Sequence, residues 1–181
     1  MNAGESAFWL FSLRFYQRPQ VAPLCLALQD NHGVDVNVLF FLFYFAVNQR
    51  QLTIDEVRRI DRSIRNWRLT VVQPLRAIRR GLKTGIAPVA PAANEALRSS
   101  IKRDELLAER LQQETLEREF PLATTGFQAT PGTAAAENIS AYSAVVCAMK
   151  SNTGAGLPES AVNTLLKALA QEFEIPQKTV K

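Results

Sequence analysis

Three observations predict an all-α fold of six or seven helices. Apolar residues recur at steps of three and four through most of the 181 residues, the spacing of one helix face. The 8 Gly and 9 Pro gather mainly between those periodic stretches, which suits helices joined by turns better than a many-turned β-fold. The longest unbroken apolar run, Val38 to Val47, is apolar on every face, so it predicts a central helix over about 35–48 with the others packed around it. With 47% hydrophobic residues the chain has enough apolar surface to build that core.

A first helix is expected from about Glu5 to Gln17, with Phe8, Phe11 or Ser12, and Phe15 on one stripe and Trp9, Leu13 and Tyr16 beside it. Arg18-Pro19 ends it, because the residue before a proline avoids the α region. A second helix over about Pro19 to Asn31 turns Val21, Leu24, Cys25 and Leu28 inward, and Gly33 supplies a left-handed cap. Asp35 suits the N-terminus of the central helix. The fourth helix opens on a capping box, Thr53-x-x-Glu56. Its apolar stripe runs through Ile54, Val57, Ile60 or Asp61, Ile64 and Trp67, then through Val71, Leu75, Ile78 and Leu82. Pro74 must kink or split this helix near Gln73. A charged helix over about 92–119 has a thinner apolar edge of Leu97, Ile101, Leu107 and Leu111. Residues 121–136 read as a linker or loose loop, and helices over about 137–150 and 158–173 as a C-terminal hairpin. The expected organisation is a core domain over 1–120 and a hairpin within 137–175 that is docked or semi-independent.

Several pieces of the first 83 residues form a spaced signature: Phe8-Trp9-Leu10-Phe11-Ser12-Leu13 with Tyr16, then Cys25-Leu26-Ala27-Leu28-Gln29-Asp30, then Gly33-Val34-Asp35-Val36-Asn37 ahead of the apolar run. Trp67 and Pro74-Leu75-Arg76 extend it. In these pieces the chain resembles an uncharacterised family of small proteobacterial proteins, a domain of unknown function. The resemblance covers about residues 6–83; it implies a bacterial cytoplasmic protein and assigns no activity or catalytic residue.

The residues themselves also point to a cytoplasmic protein. The N-terminus lacks the basic stretch and small-residue cleavage site of a secretory signal. The apolar run is shorter than the roughly 20 residues that span a bilayer, so no membrane span is expected. Cys25 and Cys147 lie far apart in apolar stretches, with no CxxC and no Cys/His spacing suited to zinc, and read as buried thiols.

Net charge is +4, but the excess is local. Residues 50–85 carry ten Lys/Arg against Asp55, Glu56 and Asp61, while the segments on either side are slightly acidic. Arg58, Arg59, Arg62, Arg65, Arg76, Arg79, Arg80 and Lys83 fall largely off the apolar stripe and make the leading candidate binding face. A guanidinium is a planar fork that pairs with carboxylates or phosphates. An acidic protein partner is favoured over nucleic acid, since no aromatic residues interleave with that face and no helix-turn-helix reader is evident. The plain structural alternative is a solvated face, partly neutralised by the acidic helix over 104–119.

The densest polar group is Gln29, Asp30, His32, Asp35 and Asn37, at the corner between the second and third helices. As chemistry, Asp30 and Asp35 would be a carboxylate pair or cation ligands with His32 as a base, although the spacing fits no calcium loop. As structure, they are cap and turn residues, the reading that their place at helix ends favours. Asn37 enters an otherwise apolar helix and needs a partner, expected to be Ser12 or Tyr16. Every histidine-dependent triad would have to run through His32, the sole histidine, and neither a P-loop nor a GxGxxG loop occurs. No cofactor and no metal are expected. The leading functional expectation is a non-enzymatic helical adaptor or assembly protein that uses the Arg-rich face. Nucleic-acid binding through the same face is the first alternative, and a small enzyme with its site at the Gln29–Asn37 corner is the second.

Overall fold

The structure is a computed structural model that describes residues 6–149 and 156–173. The expected helix start at Glu5, most of the turn before Pro158 and the hairpin's last residues lie outside them. The described residues form eight α-helices: α1 (Ala7–Tyr16), α2 (Val21–His32), α3 (Val36–Val47), α4 (Ile54–Trp67), α5 (Gln73–Gly81), α6 (Pro91–Glu119), α7 (Pro131–Met149) and α8 (Glu159–Glu172). A π turn over Arg68–Val72 joins α4 and α5 end to end, so these residues build seven rods and the fold is all-α, as expected. The small exception is an antiparallel pairing of Arg50–Gln51 (β1) with Phe127–Gln128 (β2). No helix of the described residues is long and apolar enough to cross a membrane.

Local chemistry sets most helix ends. The Ser6 side chain accepts from Trp9 N at the start of α1, and Asp35 accepts from Asn37 N and Val38 N at the start of α3. Gly33 ends α2 with φ +70°. Thr53 and Glu56 close the expected capping box on α4. In contrast, α2 begins at Val21 and not at Pro19: Gln20 adopts φ +71°, which turns the chain and leaves Pro19 between the helices.

α3 is the central helix, with every side chain from Val38 to Phe43 no more than 2% exposed. α7, α1, α6 and α4 all pack on it. Aromatic rings from α1 interlock with its own: Phe8 lies 4.8 Å from Phe41 and Phe15 5.1 Å from Phe40, centroid to centroid. Tilted and edge-on pairs at such distances add roughly 0.5–1.5 kcal/mol each beyond the area they bury.

The structure corrects three expectations. The stripe of α4 and α5 changes register at the π turn, where Gln73 N donates to Arg68 O. Such a turn holds one residue more than an α turn, just ahead of Pro74, which has no N–H to give. Val72 is therefore buried in place of Val71 and Arg68 swings inward; Ile78 beyond the turn is exposed, and so are Ile54 and Trp67 at the two ends of α4. α6 is inverted: it buries Asn94, Glu105, Gln112 and Gln113, and leaves Leu97, Leu107 and Leu111 exposed. Its inward neighbours are arginines, Asp35 and Asn37, so hydrogen bonds hold it where an apolar edge was expected to.

The third correction concerns residues 121–136, expected to form a linker or loose loop. They hold β2 and the first turns of α7, with Ala134 and Ala135 in the core. Arg50 donates to Thr125 O and Gly126 O, and Gly126 N donates to Glu56 Oε1. Gly126 has φ +69°, and a Cβ there would stand 2.5 Å from Gln51 O, so only glycine fits the approach. Of the C-terminal helices, α7 covers α3 and α4, and α8 lies on α2 and α7. Glu172 near the end of α8 pairs with Arg14 and Arg18 of the α1 end.

Candidate functional site

The Gln29–Asn37 corner separates its two carboxylates. Asp30 is exposed on α2 and accepts from Arg80 Nη2 at 3.0 Å; that hydrogen bond holds its carboxyl below the usual range. Asp35 is buried and fully engaged. Its Oδ1 accepts the two backbone N–H groups that start α3, and its Oδ2 accepts from Arg68 Nη1 at 3.1 Å and Gln112 Nε2 at 2.8 Å. No carboxylate pair forms, and Asp35 keeps no free oxygen to act as a base. His32 and Gln29 are half-buried at the end of α2, and His32 makes no hydrogen bond or ion pair among the described residues. Asn37 does not meet Ser12 or Tyr16. Its Oδ1 accepts from Gln113 Nε2 at 2.7 Å, because the inverted α6 turns that amide toward α3.

Behind the corner lies a buried polar network that joins four elements. Arg68, drawn in by the π turn, donates to Asp61 Oδ1 at 2.8 Å as well as to Asp35. Burial alone would lower the Arg68 pKa, but the Asp61 hydrogen bond and the Asp35 and Asp61 charges outweigh it and hold the guanidinium firmly protonated. Asp35 N donates to the Tyr142 hydroxyl of α7 at 2.9 Å. Burial and the same two carboxylates push the Tyr142 phenol up, so it stays neutral. Asp61, Arg68, Gln112, Gln113 and Tyr142 were not among the sequence candidates. Asp61 alone left a trace, as a charged residue at an inward position of a clean stripe. The others are assembled by contacts between residues as much as 107 apart in the chain.

The structure divides the predicted basic face. Arg76 donates to Glu105 and Glu109, and Arg79 donates to Glu105. Arg80 is held by Asp30, Arg58 by Asp55, and Arg59 lies 5.4 Å over the Phe120 ring. Arg62, Arg65 and Lys83 are exposed and have no acidic partner among the described residues. Arg58, Arg62 and Arg65 recur at steps of four and three, on one outward face of α4. Trp67, at the end of that helix, is 37% exposed, and its Nε1 donates to Ala108 O of α6 at 3.0 Å. Leu107 and Leu111, exposed on α6, bracket Ala108 in the chain.

Fold and site together define a class: a small all-α protein organised about a buried arginine–aspartate network, with a short arginine face on its outside. The chain belongs to the family described as protein of unknown function (DUF2390), whose model matches residues 7–116. That span reaches beyond the signature in the first 83 residues and takes in α6 as far as Leu116, with Gln112 and Gln113, while Tyr142 lies outside it. No curated protein and no solved structure matches the chain.

Proposed function

We propose that the chain is a non-enzymatic helical interaction protein, and that it holds an acidic protein partner on the outer face of α4. The observation that carries this reading is the pair of exposed guanidiniums without an acidic partner among the described residues, Arg62 and Arg65, on a helix that ends in a half-exposed, hydrogen-bonded Trp67. Arginine and tryptophan are the residues that most often dominate protein interfaces. Leu107 and Leu111 add an apolar margin that a phosphate backbone has no use for. Most of the other predicted basic residues are neutralised within the fold, so the face is too small for the long phosphate track that nucleic acid favours.

Cross-linking and affinity capture with the full chain, compared with Arg62→Glu plus Arg65→Glu and with Lys83→Glu, tests the reading. A partner retained by the parent chain and by Lys83→Glu, lost by the double variant and rich in acidic residues at the cross-link sites is the expected result. A salt-sensitive gel shift of duplex DNA or RNA that disappears in the same double variant would put the nucleic-acid alternative in its place.

A further inference from the structure

On the opposite flank of α6 from Trp67, a cavity of about 340 Å³ opens between α1, α2, α3 and α6. Its walls include the rings of Trp9, Tyr16 and Phe40. Its mouth is rimmed by apolar side chains that remain exposed although the core lies beside them: Leu13 at 40%, Leu26 at 44% and Leu106 at 51%. Two polar side chains interrupt the otherwise apolar inner surface. Ser12 and Gln113 line it at 5% and 3% exposure, and Ser12 Oγ and Gln113 Oε1 have no hydrogen-bond partner among the described residues. Gln113 is held in place because its Nε2 is committed to Asn37 Oδ1, which leaves the buried carbonyl oxygen as the end of the amide without a partner among the described residues. Arg76 and Glu109, joined at 2.6 Å, form a side wall. Burial, the largest influence, raises the Glu109 carboxyl, and the Arg76 pairing offsets part of this.

A buried polar atom without a partner costs about as much as a lost hydrogen bond, so two of them on one apolar cavity mark a place where a ligand gains by supplying the missing partner. A carbonyl oxygen accepts only, and a hydroxyl accepts or donates. The complementary molecule therefore carries an O–H or N–H donor. The wall charges are already paired with each other, which leaves none to balance an ionic ligand, and the aromatic walls suit a flat ring. We propose that this cavity is a binding site for a small uncharged aromatic molecule bearing a hydroxyl or N–H donor, with the ring between Trp9 and Phe40 and the donor on Gln113 Oε1 and Ser12 Oγ. The site does not depend on the α4 face, since it draws on none of Arg62, Arg65 or Trp67.

Calorimetric titration of the full chain with 2-naphthol, its methyl ether and 2-naphthoate tests this. 2-Naphthol is expected to bind one to one, and the ether, which keeps the ring and loses the donor, about tenfold more weakly. The naphthoate anion is expected to bind more weakly than either. Ser12→Ala and Gln113→Leu should each reduce the preference for the naphthol over the ether; Ser12→Ala removes one atom only and keeps the comparison valid if the Gln113 variant misfolds. Leu13→Trp, at the exposed mouth, should block all three compounds. Equal affinity for naphthol and ether would show a greasy void without recognition, and no binding of naphthol would overturn the site altogether.

Discussion

Asp61 and Arg68 give up the hydration of two full charges to meet in the interior, and only good geometry repays that cost. The geometry is good: Arg68 reaches both Asp61 oxygens and Asp35 together, and Gln112 takes a further share of Asp35. Removing Asp61 leaves Arg68 with Asp35 alone in the interior, so Asp61→Ala should lose about 3 kcal/mol of stability in urea denaturation. Arg68→Met, which leaves both buried carboxylates without their cation, should cost more than Asp61→Ala; an equal or smaller loss would argue against a charge-based cost. Cys25 is buried too, with no hydrogen-bond partner among the described residues. Desolvation pushes its thiol up to about 12, so it is neutral at ordinary pH. Iodoacetamide at pH 8 is therefore expected to label Cys25 only after unfolding; rapid labelling of the native chain would contradict the packing of α2. Cys147 is only partly buried, which the apolar residues around it did not suggest.

The seam between α5 and α6 is an element held by ions. Burial alone would raise the Glu105 carboxyl, but hydrogen bonds from Arg79 and Arg76 hold it below its ordinary 4.5. A depressed folded-state value means that the contribution of Glu105 is complete above the unfolded value and is lost as pH falls through the folded one. Acidification from about pH 5 downward should therefore weaken the fold, and Glu105→Gln should flatten that part of the stability–pH profile. An unchanged profile would mean that the seam is not held by this carboxylate. The charges of both helices were plain in the sequence, and so was the idea that the acidic helix neutralises some of the arginines. Which arginines it takes was not, because the π turn resets the register between Arg65 and Arg76, and a periodic count carried through Pro74 does not register an inserted residue.

At the scale of the whole molecule, the family-matched span and the C-terminal helices share one buried cluster: Ile139, Tyr142 and Leu165 belong to the same core as Phe8 and Phe41. α7 packs along α3 and supplies the hydroxyl that Asp35 N reaches. A chain cut after residue 120 should therefore melt without a cooperative transition in circular dichroism, whereas a sharp melt would give residues 1–120 standing as an independent domain. The linear pattern by itself determined the rods, their caps, the central place of α3 and the all-α class, because helix periodicity and capping act among residues a few positions apart. Only the tertiary structure decided that α6 turns its amides and carboxylates inward, that Arg62 and Arg65 keep their charge for the outside, and that residues 131–136 belong to a helix of the core. A charged or amide side chain goes where its partners are, and here those partners come from helices far apart in the chain.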